Sequence, residues 1–186
     1  MKGMTNVTGE LDIKDRWNLK IIKVESHEVK SYTPIGMAYV MMRNASFESK
    51  DISLSYKYGC VNTRDPFTIE CEEDSSACIV DFPGLSLLET RMFIQECLDM
   101  GNLSYMDGGT NTTAINPGRL GDPVINYVHF PAHMYQTLHT HPSHRVGLVI
   151  RGNGKIELDN KEYYDVNEGE IFFMRRNCLH NFICED

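Results

Sequence analysis

The sequence predicts an all-β protein, an antiparallel sandwich or barrel with a single helix between two strand-rich parts. Three observations carry that expectation. Short segments rich in Val, Ile, Tyr and Phe recur through both halves of the 186 residues. From residue 124 onward, Gly, Asn or Pro punctuates them about every eight to twelve residues. A single window, residues 86–101, spaces its apolar positions as a helix does.

In chain order, "GMAYVMMRN", "DISLSYKYGCV" and "FTIECEEDSSACIVDF" read as strands, separated by polar turns such as "NASFESKD". Residues 1–85 thus form a strand-rich N-terminal region. "SLLETRMFIQECLDMG" then opens on a Ser-x-x-Glu capping box, Ser86 and Glu89, and stops at Gly101. Between them Leu88, Met92, Phe93, Cys97 and Met100 follow helical spacing. A stretch rich in Gly, Asn, Thr and Pro comes next, so residues 86–123 read as a helix and connecting loop. Residues 124–186 return to strands: "VINYVHF", "MYQTLHTH", "RVGLVIRG", "GKIELD", "KEYYDV" and "EIFFMRR", with "LDNKE" as a hairpin turn.

Composition limits the partners. A net charge of -8 and a pI near 5.3, with no stripe of Lys and Arg, argue against nucleic acid, whose phosphates demand a basic surface. The longest apolar runs fall far short of the roughly 20 residues that cross a bilayer, and the first residues have no apolar signal core. A cytoplasmic protein with no membrane partner is expected. The six cysteines show no Cys-x-x-Cys pair and read as reduced, mostly buried thiols.

The chemistry concentrates in "QTLHTHPSHRVGLVIRGNG", residues 136–154. Residues two apart on a strand share a face, so His139 and His141 can both reach one ion. Two histidines do not hold a metal tightly, and His180 in "RRNCLHNF" is the candidate third ligand. Imidazole suits zinc, copper, iron and nickel alike.

These residues resemble the two motifs of the cupin superfamily. The first motif is glycine, five residues, His-x-His, three or four residues, glutamate, six residues, glycine. It places its histidines at His139 and His141 and its closing glycine at Gly152. The second begins at Gly169 and reaches its histidine at His180. The resemblance covers roughly residues 124–182 and implies a jelly-roll (double-stranded β-helix) barrel, with residues 1–85 open to reading as a degenerate cupin. Departures are clear: His133 stands at the first glycine position, Arg175 and Asn177 at the Pro and Gly of the second motif, and Arg145 at the glutamate.

Arginine has no lone pair to give a cation, so the implied ligand set is three neutral histidines with open positions, as in catalytic metal sites. In the family register Arg145 points into the same cavity and can grip a carboxylate or phosphate. A one-residue slip would turn it outward. Tyr127 and His129 share a strand face and are candidate substrate-lining residues. His144 is expected in solvent, Cys178 as a bystander, and of Tyr163 and Tyr164 one faces in and one out.

The resemblance thus implies a metal-dependent cupin acting on a small anionic substrate, as an iron(II) oxygenase with Arg145 as the substrate clamp. Iron(II) is the first choice of ion, with zinc, nickel or manganese as alternatives. The other readings are a ligand-sensing or protein-binding module without catalysis, and a metal-dependent isomerase or lyase. Cupin barrels usually continue with further strands after the second motif. The N-terminal strands, a partner chain or residues beyond this sequence would then complete the barrel, and an open edge favours a homodimer.

Overall fold

The computed structural model describes residues 3–15, 18–86, 89–95 and 100–185, and among them it has strands and one short 3-10 turn but no α-helix. The chain forms two compact units, one of residues 7–98 and 113–126, the other of residues 1–6, 99–112 and 127–186. Strand β1 (Met4–Asn6) belongs to the second.

The first unit is built on one antiparallel sheet. It contains β2 (Glu10–Ile13), β3 (Leu19–Val24), β4 (Val29–Tyr32), β5 (Met37–Ser49), β6 (Ser53–Thr63), β7 (Phe67–Phe82) and β8 (Arg91–Gln95). Their order is β2-β3-β7-β5-β6-β8, with β4 also paired to β7. Val24, Val40, Phe47, Val61, Ile69 and Ile79 pack into one buried cluster, the outcome expected when β-branched and aromatic residues meet on a pleated surface. The register between β5 and β7 shifts between Arg43 and Ala45, where Asn44 takes a φ of 52°. The buried Arg43 guanidinium bridges that irregularity, donating to the backbone oxygen of Asp74 at 2.6 Å and to its carboxylate at 2.7 Å.

The helix expected over residues 86–101 is not formed where the chain is described. Residues 91–95 are instead strand β8, paired antiparallel to β6 from Asn62↔Arg91 to Tyr58↔Gln95. The residues that suggested caps have other tasks. Glu89 accepts from the Arg91 guanidinium at 2.8 Å, and the backbone N–H of Arg91 donates to the Asn62 side chain at 2.7 Å. At Gly101 a Cβ would lie 2.4 Å from the backbone nitrogen of Asn111, so this glycine serves a close backbone approach. A free edge on β6 outweighed a weak helical period, and Phe93 and Ile94 favour either state. Residues 87, 88 and 96–99, also spanned by that expectation, lie outside the described residues.

The stretch read as a connecting loop holds β9 (Leu103–Ser104), a 3-10 turn at Met106–Gly108 and β10 (Thr110–Ile115). "TNTTAI" is polar, yet its threonines are β-branched and stiff, and they suit a ladder as well as a loop. Next come β11 (Ile125–His129), β12 (Arg145–Leu148), β13 (Asn153–Leu158), β14 (Tyr163–Asn167), β15 (Ile171–Met174) and β16 (His180–Ile183). Three three-stranded sheets result, in the orders β11-β10-β9, β1-β15-β12 and β14-β13-β16. The hairpin between β13 and β14 is closed by Lys161 N–H to the Leu158 oxygen and Leu158 N–H to the Glu162 oxygen, each at 2.9 Å.

Met4, Ile156, Leu158, Val166 and Met174 form the core of the second unit. Met4 sits opposite Met174, so the N-terminal strand takes the edge of β15 and supplies part of this core. Tyr164 packs against the cluster, while Tyr163 is 54% exposed.

Candidate metal centre

The His-x-His segment is not a regular strand. It is held instead by a reciprocal pair of backbone bonds: His139 N–H donates to the His180 oxygen at 2.9 Å, and His180 N–H to the His139 oxygen at 3.0 Å. Such a pair sets two residues directly opposite each other. Two imidazoles far apart in sequence are thereby brought ring to ring, with centroids 4.5 Å apart. The amide of Asn177 donates to the His141 oxygen at 2.7 Å, so the turn before β16 also holds the second histidine.

The ring nitrogens are oriented for a cation. Nδ1 of His139 lies 2.8 Å from the Thr137 oxygen, and Nδ1 of His180 lies 2.8 Å from the Cys178 oxygen. A carbonyl only accepts, so both Nδ1 atoms carry hydrogen, and in the neutral rings each Nε2 is left with a lone pair. Nε2 of His139 is 3.2 Å from Nε2 of His141. That spacing fits two nitrogens bound to one ion at about 2.1 Å. The ligand atoms of all three histidines lie within 4.8 Å of one another, and among the described residues they are the group of this kind that can hold a metal.

Electrostatics favour the neutral form of His141 and His180. Burial first, then the Arg145 guanidinium and the other two imidazoles, push His141 down to about 4. His180, 1% exposed, is lowered chiefly by burial, and its bond to Cys178 opposes the shift. Neutral imidazoles are what a metal requires.

Arg145 begins β12 opposite Met174, a residue of the core, and opposite residues share a face. Its side chain is half-buried; one guanidinium nitrogen donates to Ser143 Oγ at 2.7 Å. Burial makes its positive charge costly, as its lowered pKa shows. Gly147, next but one on the same face, leaves room for the Phe172 ring: a Cβ there would lie 2.2 Å from its tip. Phe172 meets Phe182 at 5.8 Å, and Phe182 meets His180 at 5.9 Å between centroids. These rings form an apolar wall beside the third ligand.

The structure brings His139, His141 and His180 together, and the Arg145 charge is felt by His141 and His180. Tyr127 and His129 are half-buried on β11, and the ring contacts leading from β11 to His180 run through Phe130, stacked on Phe182 at 5.1 Å. His144 is not in open solvent: it is half-buried with its ring 5.3 Å from Phe173, and it accepts the Arg176 N–H. Cys178 is a half-buried thiol raised by burial, and it serves the site through its backbone oxygen. Sequence reading missed Thr137, Phe172 and Phe182, since a carbonyl contact carries no residue signature.

The motif departures have a physical explanation. His133 and Asn177, standing where the family has glycine, take φ of 60° and 58°, as Gly152 and Gly169 take 83° and 79°. The left-handed conformation that glycine favours is reached here with other residues that tolerate it. At the proline position, Arg175 donates its N–H to the Gly3 oxygen at 2.9 Å, a bond proline could not make.

Residues 121–186 match the family described as the AraC-like ligand binding domain. No curated protein matches the sequence. Among solved structures, a cupin 2 conserved barrel domain protein from Leptotrichia buccalis aligns with 98% of this chain and 83% of its own, at 14% identity and a TM-score of 0.60. An IolB-like protein from Salmonella typhimurium aligns with 100% and 88%, at 12% identity and a TM-score of 0.64. A vicilin from Solanum melongena, in which different anionic ligands occupy structurally similar pockets, aligns with 92% and 72%, at 10% identity and a TM-score of 0.53. The chain thus has the all-β fold of the cupin barrels to which it is similar.

Proposed function

We propose that this chain is a metal-dependent cupin enzyme acting on a small anionic molecule, with iron(II) oxygenase chemistry as its reaction class. The observation that carries the reading is three converging imidazoles, two with Nε2 lone pairs free, beside a half-buried arginine. A bound divalent ion would supply Lewis acidity at its open positions and, as iron(II), electrons for dioxygen chemistry.

The chain's own residues bind and orient. Arg145 takes the acid group in its planar fork, and the arriving negative charge offsets the cost of keeping a guanidinium out of water. Phe172 and Phe182 exclude water on the side of His180, which strengthens that pairing. Tyr127 and His129 line the approach from β11.

The match to a ligand binding domain favours a second reading, a sensor that binds the same anion without turnover. Thermal shift of metal-loaded protein with small carboxylates against matched alcohols tests both. Carboxylate stabilisation that disappears in Arg145→Ala supports the site, and equal response to alcohols contradicts it. Oxygen consumption with the stabilising carboxylate separates enzyme from sensor.

A further inference from the structure

The hairpin loop between β9 and β10 reaches the segment that carries His139, through Thr137. Tyr105 N–H donates to the Gly109 oxygen at 2.8 Å and closes the loop, with a second bond from Gly109 N–H to the Met106 oxygen at 3.1 Å. Within it Asp107 takes φ 55° and ψ 33°, in the left-handed region that Asp and Asn enter more easily than other side chains. That conformation sends its carboxylate to Thr137, thirty positions along the chain. One oxygen accepts the Thr137 N–H at 2.6 Å, and the other accepts its hydroxyl at 3.1 Å. The Thr137 carbonyl in turn accepts Nδ1–H of His139.

We infer that Asp107 is a positioning residue of the metal centre, fixing Thr137 at two points so that its carbonyl sets the tautomer and the ring orientation of His139. The inference deepens the metal reading above and rests on it. Thr137 lies in a segment held by isolated bridges at Tyr135 and His139 rather than by a continuous ladder. A residue so placed has freedom to turn its carbonyl, and a two-point grip on its N–H and O–H removes that freedom. Packing holds the loop in place: Gly109 is so close to β11 that a Cβ there would lie 3.3 Å from the Phe130 ring and 3.4 Å from the His129 oxygen.

The test uses Asp107→Gly, which keeps the left-handed backbone and removes the carboxylate, and Asp107→Asn, which keeps the backbone and one acceptor oxygen. Two readouts are taken: long-range proton–nitrogen spectra of the His139 ring in metal-free protein, and cobalt(II) titration followed by its visible spectrum. Asp107→Gly is expected to shift His139 from a single Nδ1–H form to a mixture, to weaken cobalt(II) binding about 10-fold and to change the cobalt spectrum. Asp107→Asn is expected to recover most of each. An unchanged tautomer in Asp107→Gly, or unchanged cobalt affinity and spectrum, overturns the inference. Failure of the wild-type protein to bind cobalt(II) would overturn the metal reading itself, and the tautomer measurement would still decide whether Asp107 orients His139.

Discussion

Asn177 stands at the turn where the cupin motif has glycine, with φ at 58°, and its N–H holds the His141 oxygen at 2.7 Å. The residue is exposed, so replacing its side chain disturbs little packing and reads the backbone alone. A β-branched residue in the left-handed region costs about 1–2 kcal/mol relative to glycine. The cost falls on the turn that delivers His180 to His139. Hydrogen exchange at the amides of His139 and His180, which donate to each other's carbonyls, reports the local opening that this strain promotes. Asn177→Val is expected to speed exchange there by roughly 5- to 30-fold, while Asn177→Gly leaves it unchanged or slows it. Equal exchange in the Val and Gly variants would refute the reasoning, because it would mean that the left-handed turn does not constrain the histidine pair.

Other outcomes follow from the same geometry. In metal-free protein the folded His141 and His180 sit below the ordinary histidine value, so the unfolded chain takes up protons first. Their contribution to stability is full above about pH 6.5 and is lost as pH falls toward the His141 value of about 4. Urea midpoints from pH 7 to pH 4 should show this, and His141→Asn should flatten the slope. Gly147→Val drives a side chain into the Phe172 ring and should destabilise the second unit by about 1–3 kcal/mol, with proton chemical shifts of Phe172 and Phe182 moving together. Unmoved Phe182 signals would dissociate the two rings. Arg145→Lys keeps the charge but loses the planar fork, so carboxylate stabilisation of the metal-loaded protein should fall nearly as far as in Arg145→Ala. Full retention would reduce Arg145 to a point charge.

Much of the site was legible in the chain. That His139, His141 and His180 converge was legible because candidate metal donors are recognised by atom type and spacing, and those constraints show in sequence. The left-handed turns at Gly152 and Gly169 were also legible, whereas those at His133 and Asn177 carry no glycine to announce them. The all-β class followed from residue types alone. The expected helix failed for a nonlocal reason: the edge of β6 accepted residues 91–95 as a strand, and nothing within that window announces a free edge elsewhere. The strand β10 was hidden by its Thr and Asn content, which suits turns and ladders alike. Asp107 was out of reach, because its link to the site runs through a backbone carbonyl.

The account turns on three histidines holding one ion. Metal content by mass spectrometry, on protein purified without tags or chelators beside a His139→Ala, His141→Ala double variant, tests this most directly. The account predicts near-stoichiometric transition metal in the wild-type protein and its loss in the variant. No metal in either, even after incubation with iron(II) without oxygen, would contradict it and leave the three imidazoles as a packing feature of the barrel.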